Sequence, residues 1–134
     1  MNGDNWLPLR LRPGDDLRRA LEAAVAARGL TAAFVVSGIG SLRPCCIRLA
    51  GAEQTLAVDG DVELLSLSGS IAANGSHVHL SVADAGGRVL GGHAGYGCVV
   101  RTTAEVLLAL LPAWHFSREA DAATGYAELQ LRPR

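Results

Sequence analysis

The sequence predicts an α+β domain: a mainly antiparallel sheet, one long N-terminal helix and a second, shorter helix, in a single unit spanning residues 1–134. Three observations lead there. An apolar stripe repeats every four residues near the N-terminus, a series of short β-rich runs with turn residues between them follows, and these runs do not alternate with helices as a parallel βαβ sheet would require. A length of 134 residues suits one hydrophobic core better than two.

The elements can be justified in order. Leu7, Leu9 and Leu11 alternate with Pro8, Arg10 and Arg12, the period of a half-buried strand, which ends at Pro13-Gly14. Asp15 and Asp16 then supply an N-cap and a first-turn acid. Leu17, Leu21 and Val25 form the helical stripe, and Gly29 marks its C-terminal stop. Arg18, Arg19, Glu22 and Arg28 fall away from that stripe and read as its solvated face. Next come runs 33–36 and 45–49 around Ser37-Gly38-Ile39-Gly40-Ser41, and runs 55–58 and 62–67 around Asp59-Gly60, a hairpin signal. Runs 77–82 and 88–90 flank Ala85-Gly86-Gly87. Residues 96–102 lead into the helix-forming stretch Ala104 to Leu111, stopped by Pro112, and residues 126–131 form a last alternating strand.

Composition narrows the function classes. Twelve basic residues, all arginine, against thirteen acidic ones give a net charge of −1, which disfavours a strongly basic nucleic-acid or membrane-surface protein. Apolar types reach 49% and charged types only 19%, an excess that one small domain would hide by burying surface against copies of itself. Met1 to Asn5 carry no signal-peptide pattern, no apolar run approaches a membrane span, and Cys45, Cys46 and Cys98 give neither a paired framework nor a Cys-x-x-Cys, so the expected location is the cytoplasm. Gly38-Ile39-Gly40-Ser41 is no phosphate loop, because Arg43 stands where the third glycine of G-x-G-x-x-G belongs. No Gly-x-Ser-x-Gly elbow occurs either.

Three of the four histidines carry the chemical signal. His77 and His79 are two residues apart in a strand and share a face, while Val78, Leu80 and Val82 take the other. A three-residue loop of Ala85, Gly86 and Gly87 pairs Asp84 with Arg88, and counting outward sets Val82 opposite Leu90 and His79 opposite His93. A loop one residue shorter or longer would turn His93 to the opposite face. With the three-residue loop, the imidazoles of His77, His79 and His93 converge into a ligand set for a divalent metal. Zinc is the first candidate; iron, nickel or copper would also suit imidazole. The plainer alternative is three polar side chains on an exposed or interface strand. Glu105 is a candidate fourth ligand, or a carboxylate that orients an imidazole through a hydrogen bond, against the plainer reading of a solvated glutamate at a helix start. His115, beside Trp114, has no patterned partner, and the cysteines read as small buried hydrophobes.

Val62-Glu63-Leu64-Leu65-Ser66-Leu67-Ser68-Gly69-Ser70 resembles the Phe-Glu-Ile-Leu-Ser-Leu-Ser-Gly-Ser signature of the plant and prokaryote conserved (PPC) domain. Gly38-Ile39-Gly40-Ser41-Leu42, the run ending Gly91-Gly92-His93 and the helix after Pro-Gly-Asp-Asp resemble the same family, over nearly the whole chain. The resemblance implies a small domain with an antiparallel sheet, assembled as a homotrimer. Plant members add AT-hooks with Arg-Gly-Arg-Pro segments, whereas Leu131-Arg132-Pro133-Arg134 lacks the glycine and the flanking basic residues. Plant members also tend to have glycine at the position of His93 and lack the His77 and His79 pair. This chain resembles the metal-containing prokaryotic members, which implies His77, His79 and His93 as candidate ligands. Three readings follow. The first is a homotrimer holding a divalent metal, with an open position for a small-molecule ligand or metal-assisted chemistry. The second is a DNA-associated regulatory module without an AT-hook, and the third a ligand-free interaction module.

Overall fold

The computed structural model describes residues 5–134; residues 1–4 of the Met1 to Asn5 stretch, which carries no signal-peptide pattern, lie outside the described residues. After β1 (Trp6–Leu11) comes α1 (Leu17–Ala26), followed by β2 (Ala32–Leu42), β3 (Cys45–Arg48), β4 (Leu56–Val58), β5 (Val62–Ala72), β6 (Gly75–Ala83), β7 (Val89–Ala94), β8 (Val100–Leu110), β9 (Trp114–Ala120) and β10 (Ala127–Pro133). Eight strands form one antiparallel sheet in the order β1-β8-β2-β5-β6-β7-β3-β4, and β9 and β10 form a separate hairpin.

The helix forms where its local signals lie. The Asp16 side chain accepts the Arg19 N–H at 3.0 Å, a cap worth roughly 0.5–2 kcal/mol, and Gly29 takes the left-handed conformation (φ 67°) just beyond the end. Leu17, Leu21 and Val25 are buried against β5, β6 and β8. They complete a core with Leu42, Ile47, Ile71, Val78, Val82 and Leu108 from the inner face of the sheet. A second, smaller cluster of Ala32, Ala72 and Phe116, backed by Leu111 and Leu129, seats the β9–β10 hairpin on the ends of β2 and β5.

Two expectations about the helices are overturned. The N-terminal helix is short, ten residues, and the second helix does not exist among the described residues. Ala104 to Leu111 instead belongs almost wholly to β8, between β1 and β2. Ala104, Val106, Leu108 and Leu110 alternate inward, and Glu105, Leu107 and Ala109 alternate outward. Helix-forming composition is a weak preference of tenths of a kcal/mol per residue, and burial of four apolar side chains at roughly 1.5–3 kcal/mol for each large one outweighs it.

Connectivity differs as well. Asp59-Gly60 links strands that do not pair with each other: β4 lies on β3 at one edge, and β5 sits between β2 and β6. Ser37 to Ser41 is not a loop but part of β2. Gly40 is needed there for close approach, since a Cβ would collide with the Thr103 carbonyl and the Ala104 backbone of β8.

Leu108→Ala is expected to lower the unfolding free energy by about 2–5 kcal/mol, and Glu105→Ala, on the exposed face of the same strand, by less than about 0.5 kcal/mol. Equilibrium denaturant unfolding of the two variants measures this contrast.

Candidate metal centre

The centre is built on the β6–β7 hairpin. In β6, Val78, Leu80 and Val82 are buried in the core, which turns His77 and His79 outward together. The turn that follows is held by Asp84: its N–H donates to the Arg88 carbonyl at 2.9 Å, and its carboxylate accepts the N–H groups of Gly86 (3.0 Å) and Arg88 (2.9 Å). Gly87 supplies the left-handed position (φ 80°). The backbone hydrogen bonds to the carboxylate, those from Arg88 first, hold Asp84 below the usual carboxylate range and keep it ionised. The resulting register sets Val82 opposite Leu90 and His79 opposite His93.

The three imidazoles meet on the outer face of the sheet. Ring centroids are 4.7 Å apart for His77 and His79, 4.7 Å for His79 and His93, and 5.1 Å for His77 and His93, the last two rings being nearly parallel. His77 Nε2 and His79 Nε2 are 3.0 Å apart, and one ring nitrogen from each of the three residues falls within 4.8 Å of the others. Nδ1 of His93 lies 3.4 Å from the Arg48 carbonyl, which favours a proton on Nδ1 and leaves Nε2 with its lone pair. Burial first, then the charges of His79 and Arg118, lowers the His77 pKa. Burial first, then Arg48, lowers that of His93 against the opposing pull of the Arg48 carbonyl. Both effects favour the neutral ring, the form that binds metal.

Glycines let neighbouring strands close on these residues. A Cβ on Gly69 would strike the His77 carbonyl, and one on Gly92 would strike the Arg48 carbonyl and the Ile47 side chain. The tight packing places Ser70 directly opposite His77, Ser68 opposite His79 and Arg48 opposite His93. From outside the main sheet, Arg118 of β9 reaches in and donates from Nη2 to Ser70 Oγ at 2.7 Å.

Other candidates fall elsewhere. Glu105 is exposed on β8 opposite Arg10 and Ile39, separated from β6 by β2 and β5, about 14 Å at the usual strand spacing. It is not in the histidine group. His115 lies in β9 rather than in a loop, with Nδ1 2.9 Å from Thr31 Oγ1. Cys45 and Cys98 are buried with their sulfurs 3.7 Å apart, and Cys46 is half-buried. The hydrogen bond between them, chiefly, raises the Cys45 pKa and lowers that of Cys98. Arg48 and Arg118 were not singled out from the sequence. Arg48 could have been found by extending the strand alternation from Cys45, whereas Arg118 carries no local signal.

Comparison with known proteins places this geometry among relatives. The chain is 47% identical over 126 residues, 94% of its length, to the bifunctional protein GlmU of a Synechococcus sp. strain, and it aligns similarly with that of a second strain. It spans about a fifth of the length of these curated relatives (20%). A Salmonella enterica protein of known structure is 42% identical, with a TM-score of 0.92 over 96% of this chain and 94% of that one. A metal-containing protein from Archaeoglobus fulgidus is 27% identical, with a TM-score of 0.76 over 93% and 92% of the two chains. Residues 2–112 match the Plants and Prokaryotes Conserved (PCC) domain, the family that the Val62 to Ser70 run resembles, and the chain belongs to it.

Proposed function

We propose that this protein binds one divalent metal ion per chain, zinc fitting best, through His77, His79 and His93. The observation that carries the reading is the convergence of three ring nitrogens within 4.8 Å. Two nitrogens bound tetrahedrally to zinc lie about 3.4 Å apart, close to the 3.0 Å between His77 Nε2 and His79 Nε2. Three neutral nitrogen donors without a carboxylate are a familiar zinc set, and imidazole also suits other first-row ions. The metal-containing Archaeoglobus fulgidus relative supports the same reading. A bound ion would supply Lewis acidity at a position left open to water or a small ligand. The chain's own part is to hold the three rings neutral on a rigid hairpin and to keep that position facing outward.

The functional unit in this reading is a homotrimer. Phe34, Val36, Ile39 and Leu65 expose 42%, 46%, 52% and 47% of their surface, a costly apolar display for a free monomer. A DNA-associated role draws less support from the charges. Arg43 and Arg101 both pair with Asp61, Arg88 with Asp84 and Arg132 with Glu119, so these arginines do not form a free phosphate track. Among the described residues, no helix is long and apolar enough to cross a membrane.

Elemental analysis of protein purified without added metal is expected to show about one ion per chain in the wild type and in His115→Ala, and none in His79→Ala. A wild-type protein that stays empty after zinc loading overturns the reading. Affinity for DNA that collapses with added salt would instead favour the regulatory module.

Acidity should act on the metal-free protein in a defined direction. Because the folded pKa values of His77 and His93 lie below the unfolded value of about 6.5, folding resists their protonation. Their contribution is complete above that unfolded value and is lost as pH falls through the lower folded values. Denaturant unfolding between about pH 7.5 and 5 is expected to show a falling midpoint, with a shallower fall in His77→Asn.

Light scattering after size exclusion is expected to give three times the chain mass for the wild type. The double variant Ile39→Glu, Leu65→Glu is expected to give a smaller species.

A further inference from the structure

Two arginines beside the histidines have no carboxylate partner, as is also true among the described residues of Arg10, Arg12, Arg19, Arg28 and Arg134. Arg18, Arg43, Arg88, Arg101 and Arg132 each pair with a carboxylate. Among the described residues neither Arg48 nor Arg118 does, although Glu128 acts on Arg118 through space. Arg48 lies directly opposite His93, and directly opposed residues share a sheet face. Arg118 stands on the other side of the cluster, hydrogen-bonded to Ser70, which is directly opposite His77.

Arg118 is also held in place. Its backbone N–H donates to Asn74 Oδ1 at 2.7 Å, and Asn74 Nδ2 donates back to its carbonyl at 2.9 Å, fixing β9 to the β5–β6 turn. Its Nε is buried and has no hydrogen-bond partner, and desolvation lowers its pKa. A guanidinium that is half-buried, short of acceptors and clamped at its backbone gains from an incoming anionic oxygen. Three neutral imidazoles would leave a bound divalent ion with its full charge, so the two arginines add to an uncompensated positive field. Arg118 also lies beyond residues 2–112, where the family match ends.

We infer that the histidine centre takes an oxyanion: a small molecule whose carboxylate or phosphate group lies over His77, His79 and His93, with Arg118 and Arg48 receiving its charge from either side. This rests on the metal reading above and adds the class of ligand. Ser68, exposed opposite His79, offers a hydroxyl toward the same ligand.

The test uses zinc-loaded full-length protein, with zinc per chain measured first, and isothermal titration with inorganic phosphate, oxalate and, as a neutral ligand, imidazole. Phosphate and oxalate are expected to bind the wild type, and comparing them separates phosphoryl from carboxylate preference. Arg118→Gln and Arg48→Gln are each expected to weaken both oxyanions about tenfold, while imidazole affinity and zinc content stay unchanged. Arg118→Lys, which keeps the charge, should recover much of the loss. Oxyanion affinity unchanged in both glutamine variants overturns the inference. So does a zinc-loaded wild type that binds imidazole but neither oxyanion; zinc uptake then still stands. Protein that takes up no zinc overturns the metal reading and this one together. If Arg118→Gln unfolds, Arg48→Gln and Arg118→Lys decide the matter.

Discussion

The turn from Asp84 to Arg88 sets the register on which the histidine face depends. Asp84 uses its backbone N–H and its carboxylate together, and Gly87 takes a conformation that a residue with a Cβ would adopt only under strain. Strand side chains alternate, so a shift of one residue would send His93 toward the core and bring an apolar neighbour out. The core enforces the same register from the other side, because Val78, Leu80 and Val82 fill the space above α1. Turn and core agree, and the position of the imidazoles is determined twice over.

The two faces of the sheet divide the work. The inner face, closed by α1, carries the stability, and the outer face carries the histidines, serines and arginines together with exposed apolar residues on β2 and β5. Glycines at 40, 69 and 92 let strands approach where a side chain would collide with a neighbouring backbone. Two of these positions sit against His77 and Arg48, so these glycines have a local purpose at the centre as well as in the fold. That purpose is to bring β5 and β3 close on either side of the imidazoles.

Charge around the centre points one way. Burial and neighbouring guanidiniums lower the pKa values of His77 and His93; of those guanidiniums Arg48 and Arg118 have no carboxylate paired with them, whereas Arg18 pairs with Glu22. In the Arg18–Glu22–Ser76–Tyr96 network, by contrast, the arginine does meet a carboxylate. There, Glu22 joins Arg18, Ser76 and the Tyr96 hydroxyl, and Arg18 and Arg19 both lie over the Tyr96 ring at 4.1 and 4.2 Å. That network is internally satisfied and ties α1 to the start of β6. At the histidine centre Arg48 donates to the Ala52 carbonyl and Arg118 to Ser70 Oγ, and neither guanidinium meets a carboxylate.

Local chemistry made part of this legible in the sequence. Asp16, the Leu17, Leu21 and Val25 stripe and Gly29 placed α1, and the Ala85-Gly86-Gly87 loop placed His79 opposite His93, because capping and turn preferences act over a few residues. The four-residue spacing also suggested a longer helix than the ten residues that form, since a stripe does not say where tertiary contacts end. Ala104 to Leu111 read as helix from its alanine, glutamate and leucine content, and only its place between β1 and β2 made it a strand. In the same way, the sheet order separated β4 from β5, carried Glu105 away from the histidines and brought Arg48 and Arg118 beside them. The sequence by itself determined which short segments turn or cap and which side chains share a face. Tertiary structure decided which strands become neighbours, because burial acts between residues far apart in the chain, where no local pattern records the pairing.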